Sequence, residues 1–95
     1  MQYILLIYNN CTTQVTNQEW EIFFTSARKS GLFKGGSEMD NGHKIGRMVG
    51  RTDGQGICGY MRFDSDDKGN LLTLLNAHPV IVNGGTVELF EMPIS

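Results

Sequence analysis

This sequence lacks the long apolar run and the cysteine pairs that mark membrane-spanning or secreted chains. Its apolar stretch at residues 3–8 is far shorter than the about 20 apolar residues that a membrane-spanning helix needs. No basic residue precedes that stretch, so we do not expect a signal peptide. The two cysteines, Cys11 and Cys58, lack CxxC spacing, which predicts free thiols in a reducing compartment. We therefore expect a cytoplasmic protein with no membrane partner.

An excess of charge of either sign is also missing. The chain has 8 Lys and Arg against 10 Asp and Glu, for a net charge of −2 at pH 7. This balance gives no strong attraction to a nucleic-acid backbone. The basic residues Lys44, Arg47 and Arg51 have no aromatic residues between them, unlike the basic grooves that bind single strands. No nucleic-acid partner is expected.

The length of the chain limits it to one core. Its 95 residues predict a single domain, residues 1–95, with a thin stability margin. Burial against a partner subunit would be a natural supplement to that margin.

The N-terminal third has the pattern of a strand followed by a helix. Residues 3–8 are apolar or aromatic at every position, so both faces of this strand require cover. Thr16 and Glu19 match the capping box of a helix that begins near Asn17 and ends at Gly31. Four residues in that helix have the i, i+3, i+4, i+7 spacing of an apolar face: Trp20, Phe23, Phe24 and Ala27. This face predicts packing against a sheet rather than a cofactor site.

The middle of the chain predicts a second strand and a polar arm. Residues 32–40 fit a strand that is interrupted at Gly35 and Gly36, which predicts a bulge or a close backbone approach. The polar, glycine-rich residues 41–56 fit a hairpin arm.

The C-terminal third repeats the strand, helix, strand order. Residues 57–64 fit a strand, and Ser65 or Asp66 is expected to cap a helix rich in leucine. His78 and Pro79 are expected to end that helix, because proline disfavours helical geometry at the residue before it. Residues 86–92 fit the closing strand.

Together these elements predict an α+β fold of the ferredoxin-like split β-α-β type. We expect a four-stranded antiparallel sheet with two helices on one face. Because the first strand is apolar on both faces, the uncovered face is expected to pack against a second copy, which makes a homodimer.

Three stretches of the chain carry a resemblance to a known family. They are MQYILLIY, SGLFKGGSEM and GYMRFDSDDKGNLLTLLNAHPVIVNGGTVELFEMP. The sequence resembles the YCII-related proteins, the group that includes the DGPF-domain proteins, and this resemblance implies a dimeric α/β-barrel. Two features depart from the family. The DGPF motif is reduced to Asp53-Gly54 followed by Gln55-Gly56, and the first helix lacks the His that some members use in a proposed His-Asp pair. The resemblance therefore implies a fold and a dimer without a catalytic pair.

His78 is the candidate catalytic residue. At the expected C-terminal end of the second helix, the helix dipole would raise its pKa and favour a role in carrying protons. The alternative is a histidine that caps the last carbonyl groups of the helix. His43, in a polar turn, is expected to be solvated surface.

Tyr60, Arg62 and Glu88 are the candidate ligand-binding residues. Tyr60 and Arg62 project from one face of the third strand, and Glu88 lies near Arg62 if the third and last strands are neighbours. An Arg-Glu pair at a dimer cavity would bind a small carboxylated ligand. A cross-strand or intersubunit salt bridge is the alternative.

No metal or cofactor is expected. Residues 64–69 imitate the opening of a calcium loop, but Lys68 and Leu75 occupy ligand positions of that loop. The glycines at 54 and 56 precede a strand rather than opening a helix, so neither a P-loop nor a dinucleotide motif is present.

The leading interpretation is a small homodimeric protein that binds a small molecule in a cleft between sheet and helices. One alternative is an acid/base enzyme acting on a small organic acid or ring compound, with His78 as proton carrier and Arg62 as anion clamp. Another is a protein-interaction module that uses the 41–56 arm as a docking edge.

Overall fold

The computed structural model describes residues 1–43, 45–47 and 56–93. Within these ranges the chain order is β1 (Gln2–Tyr8), α1 (Asn17–Ser30), β2 (Phe33–Glu38), β3 (Ile57–Asp64), α2 (Lys68–Leu75), α3 (Pro79–Val82) and β4 (Val87–Met92). Much of the predicted 41–56 arm, including Lys44, Arg51 and the Asp53-Gly54 turn, lies outside the described residues. No helix in the described ranges is long and apolar enough to cross a membrane.

The four strands form one antiparallel sheet in the order β2-β3-β1-β4. The central strand β1 pairs with β3 on one side and with β4 on the other, so that Ile4 lies opposite both Arg62 and Phe90. The predicted α+β class, the antiparallel sheet and the placement of the helices on one face are confirmed.

The two faces of β1 have different surroundings. Tyr3, Leu5 and Ile7 are buried against the helices, whereas the alternate residues Ile4 and Leu6 are only half-buried on the other face. The buried core consists of residues from the strands and from all three helices: Tyr3, Leu5, Ile7, Phe23, Ala27, Met61, Phe63, Leu71, Leu75 and Val80. Burial of this set from water is the main stabilising contribution to the fold.

The ends of α1 agree with the sequence prediction. The backbone N–H of Glu19 donates to Thr16 Oγ1 at 3.1 Å, and the backbone N–H of Thr16 donates to Glu19 Oε1 at 3.0 Å. Gly31 ends the helix with a φ of 77°, a left-handed conformation that glycine adopts without steric cost.

The prediction that Ser65 or Asp66 caps α2 is wrong. Asp67 is the N-cap, and its Oδ1 accepts from the backbone N–H groups of Gly69 at 2.9 Å and Asn70 at 3.3 Å. Ser65 instead stabilises the preceding turn, since its Oγ accepts from the Asp67 N–H at 3.1 Å and donates to the Asp67 carbonyl at 2.8 Å. Several capping-type residues stand in a row here, so spacing alone could not select among them.

The end of α2 also differs from the prediction. The helix ends at Leu75, and Pro79 begins the additional short helix α3 rather than only stopping the previous one. Proline is favoured at the first helical position because the N–H that it lacks would have no partner there. His78 is the N-cap of α3.

The interruption of β2 is a β-bulge, as predicted. The register between β2 and β3 shifts between Phe33 and Gly35. A Cβ at Gly36 would collide with the backbone carbonyl oxygen of Tyr60, so the two strands approach closely where glycine has no side chain.

Candidate functional site

A cleft of about 650 Å³ lies between the sheet and α1. Trp20 and Phe24 line it from the helix, and Ile7, Phe33 and Met61 line it from the strands. Polar and backbone groups at its rim come from five further residues: Asn17, Ser37, Glu38, Asp40 and Tyr60. The volume is in the range of small-molecule sites, which run from about 300 to 1,000 Å³.

Aromatic rings form one wall of the cleft. Trp20 and Phe24 are four residues apart on α1, and their rings stack with centroids 5.6 Å apart and an interplanar angle of 26°. Phe24 also contacts Phe33 of β2 at a centroid distance of 5.8 Å. The guanidinium carbon of Arg28 lies 5.4 Å from the Phe24 ring centroid. The predicted apolar face of α1 therefore both covers the sheet and supplies the aromatic side chains of the cleft.

The charged residues at the rim are acidic. Glu38 is the last residue of β2 and Asp40 follows it by two positions, and both are exposed. Neither carboxylate forms an ion pair with a described residue. Among the described residues that line the cleft, none is Lys, Arg or His.

Cys58 brings a thiol to the same cleft. The register between β1 and β3 shifts at Ile7 and Tyr8, so Cys58 has no paired residue on β1. Burial raises the pKa of the Cys58 thiol, and the neighbouring Cys11 and, after it, Glu38 add to the rise. A thiol with a raised pKa is protonated at neutral pH and is a weak nucleophile.

His78 is buried and lies outside the lining of the cleft. It has 0% exposure, and its ring contacts Trp20 at a centroid distance of 5.1 Å and Phe23 at 4.7 Å. As the N-cap of α3 it accepts the Val80 N–H at Nδ1, at 3.1 Å. The proton of the neutral ring is therefore on Nε2, which has no hydrogen-bond partner among the described residues.

The predicted rise of the His78 pKa is wrong. Burial lowers its pKa to about 4, because the charged form loses its hydration among aromatic rings. The residue sits at the beginning of a helix rather than at the end of one, so the expected stabilisation of a positive charge by the helix dipole does not apply. A proton carrier must also reach its substrate, and the burial of His78 favours a structural role over the catalytic one. That role is N-capping of α3 through Nδ1, and not the predicted capping of the carbonyl groups that end α2. The catalytic role stays an untested prediction.

The structure separates the three predicted ligand-binding residues. Arg62 is exposed on β3 and donates from Nη2 to the Lys34 carbonyl at 3.3 Å. Glu88 on β4 accepts a hydrogen bond from the Tyr8 hydroxyl. Because β1 lies between β3 and β4, these two strands are not neighbours. The prediction that Arg62 and Glu88 form a pair across adjacent strands is therefore wrong. Of the three, only Tyr60 has atoms in the lining of the cleft, and its pairing with Leu6 places its side chain on the opposite, open face of the sheet.

The face of the sheet that is turned away from the core has an apolar strip along β1, with Arg62 of β3 on one side and Glu88 of β4 on the other. Opposite pairs in the strand register place Ile4 beside Phe90 and Leu6 beside Glu88. Ile4 and Leu6 are half-buried and Phe90 is 46% exposed. No group of three or more metal-ligating side chains occurs within the described ranges, on this face or elsewhere.

Comparison with known proteins shows the fold and no family. No protein-family profile matches the chain, and no curated protein matches it. Among solved structures, 5-chloro-2-hydroxyhydroquinone dehydrochlorinase (TftG) from Burkholderia phenoliruptrix AC1100, in complex with 2,5-dihydroxybenzoquinone, is similar with a TM-score of 0.62 and 9% sequence identity. The similarity covers 100% of this chain and 96% of that chain. At this identity the likeness shows a shared fold and carries no residue role across.

Sequence reasoning missed most of the cleft. Glu38, Asp40 and Cys58 belong to segments separated along the chain, and only the register of β2 on β3 brings them together. The aromatic spacing of α1 is the one local signal, and from the sequence it predicts core packing rather than a ligand site.

Proposed function

We propose that this protein binds a small organic molecule in the cleft between the sheet and α1. The observation that carries the proposal is the aromatic wall of a 650 Å³ cleft, in which Trp20 and Phe24 stack beside Phe33. Aromatic rings offer large flat apolar surfaces, and a planar ligand gains from stacking on them in addition to burying area. A ring compound of modest size fits this wall.

The fold likeness agrees with this proposal. The similar solved structure holds 2,5-dihydroxybenzoquinone, a ring compound. For this chain we propose binding without assigning a reaction, because the thiol of Cys58 has a raised pKa and no described histidine lines the cleft to activate it.

We further propose a YCII-related homodimer that assembles through the open face of the sheet. The half-buried Ile4 and Leu6 and the exposed Phe90 form an apolar surface on the strands that the helices leave uncovered. A second copy would bury this surface and supplement the small core. The free thiols of Cys11 and Cys58 support the proposal of a cytoplasmic location.

Trp20, the single tryptophan of the chain, provides the test of binding. Benzyl alcohol with a para tert-butyl group, a neutral ring compound, is titrated into the protein while the Trp20 indole N–H signal is followed by NMR. We expect a saturable shift of that signal in the wild type and weaker binding in Phe24→Leu, which removes one ring of the wall.

Phe90→Leu is the matched control, because it makes the same substitution on the other side of the sheet. The control should bind as the wild type does. If Phe90→Leu weakens binding as much as Phe24→Leu, the ligand occupies the dimer face, and if the wild type shows no saturable shift, the proposal fails.

A further inference from the structure

We infer that the cleft selects a positively charged aromatic compound, such as an aryl or benzyl ammonium, over neutral and anionic rings of the same size. The inference rests on the proposed function, since it concerns the ligand of the same site. It follows from the aromatic wall and from the carboxylates of Glu38 and Asp40, which line one cleft.

The aromatic wall is suited to a cation. The electron-rich faces of Trp, Phe and Tyr rings attract ammonium and guanidinium groups, and Trp is the strongest of the three. The protein already contains one such contact at this wall, because Arg28 lies over Phe24 at 5.4 Å. The Arg28 guanidinium thus already occupies the Phe24 ring and places a positive charge beside it, so the attraction for a ligand cation rests on Trp20 and on the acidic rim.

The negative charges at the rim of the cleft also favour a cationic ligand. Glu38 and Asp40 have no ion-pair partner among the described residues, so their negative charge is not neutralised by them. Both carboxylates line the same cleft as Trp20 and Cys58, so a ligand in the cleft lies close to their negative charge.

The cleft disfavours an anionic ligand. Arg62, the expected anion clamp, is exposed on β3 and bonds to the Lys34 carbonyl, and the cleft lining in the described residues includes no basic side chain. An anion would lose hydration on entering the cleft and approach two carboxylates. The charge balance therefore opposes the small organic acid considered from the sequence.

The test compares three ligands with one ring and three different charges. They are benzyl alcohols that carry a para trimethylammonium, tert-butyl or sulfonate group, and the first two have nearly the same shape. Binding is measured by the Trp20 indole N–H shift at low and high salt. We expect the ammonium compound to bind about tenfold more tightly than the tert-butyl compound at low salt, with the sulfonate weakest, and we expect high salt to reduce the preference.

Charge variants show whether the carboxylates of the rim cause the preference. Glu38→Gln combined with Asp40→Asn should weaken binding of the ammonium compound about fivefold relative to the tert-butyl compound. The matched control is Glu21→Gln combined with Asp66→Asn, which changes the net charge equally at exposed positions outside the cleft. The control should keep the preference.

The outcomes separate this inference from the proposed function. If the tert-butyl compound binds at Trp20 and the ammonium compound binds no better, the inference is overturned and the proposed function stands. Strongest binding of the sulfonate, or equal weakening by both charge variants, also overturns it. If none of the three compounds binds, the proposed function itself fails.

Discussion

Acidification from pH 7 to pH 4 should destabilise the folded protein through His78. The ordinary pKa of histidine is 6.5, and in the folded protein burial lowers that of His78 to about 4. Between these values the unfolded chain binds a proton that the folded protein does not, so stability falls as the pH falls through this window. At about 1.4 kcal/mol for each pH unit, the loss amounts to about 3 kcal/mol. That is a large share of the 5 to 15 kcal/mol, roughly, by which small domains are stable.

Urea denaturation at several pH values, followed by Trp20 fluorescence at one protein concentration, measures this loss. His78→Asn removes the titrating group and keeps a good N-cap residue for α3. We expect the free energy of unfolding of the wild type to fall about 3 kcal/mol more than that of His78→Asn between pH 7 and pH 4. His43→Asn changes an exposed histidine and should follow the wild type.

Other groups contribute to acid unfolding, and the comparison of variants removes their share. The pKa of Glu19 is lowered by hydrogen bonds from Asn83 and Thr16, so its contribution is lost at lower pH in every variant alike. Parallel pH curves for the wild type and His78→Asn would refute the reasoning. If the variant does not fold, the nitrogen chemical shifts of the His78 ring, measured by NMR in the wild type, give a second measurement. They should report a neutral ring with the proton on Nε2 at pH 6, and a charged ring at that pH would refute the reasoning equally.

Three further predictions concern stability and assembly. Asn83→Ala should lower the free energy of unfolding by about 2 to 3 kcal/mol in urea denaturation, because the buried Asn83 amide donates to Glu19 Oε2 at 2.8 Å and to the Pro79 carbonyl at 2.7 Å. Gly36→Ala should cost about 1 to 3 kcal/mol in the same assay, because its Cβ would collide with the backbone of β3. Phe90→Glu should change the mass measured by light scattering from that of a dimer to near the 10.6 kDa of one chain, since a charge would be buried in the proposed interface.

The two stability predictions each have a matched control. Asn76→Ala changes an exposed asparagine and should be nearly neutral, and Gly42→Ala adds a Cβ where nothing lies within 4 Å. Equal costs at Gly36 and Gly42 would contradict the close-approach argument. A wild-type mass near that of one chain at micromolar concentration would contradict the homodimer.

The sequence predicts the parts of the fold that depend on local patterns. The apolar face of α1 repeats with helical spacing, and the Thr16 and Glu19 capping box needs only a three-residue interval, so both are visible without a structure. The short helix α3 was missed because Pro79 was interpreted only as a stop signal. In the structure it begins a helix of four residues, which is too short to show an apolar period.

The site was less predictable because its properties arise from packing between distant segments. The pKa of His78 shows this most clearly. Its neighbours in the sequence suggest a helix end and a raised pKa. In the structure Trp20 and Phe23 of α1 contact the ring, and the cost of burying a charge lowers the pKa instead. The pairing of Arg62 with Glu88 failed for a similar reason, since strand order is set by the whole sheet.

One face of β1 contributes to the cleft and the other to the proposed dimer interface, so substitutions can test the two surfaces separately. Ile7 faces the cleft, whereas Ile4 and Leu6 belong to the open face beside Phe90 and Glu88. Because successive side chains of a strand point to opposite sides of the sheet, a substitution on one face leaves the contacts of the other largely in place. Phe90→Glu should therefore abolish the dimer and retain ligand binding at Trp20. Loss of both together would mean that the cleft needs the second copy to form, and the binding site would then belong to the dimer rather than to the single chain.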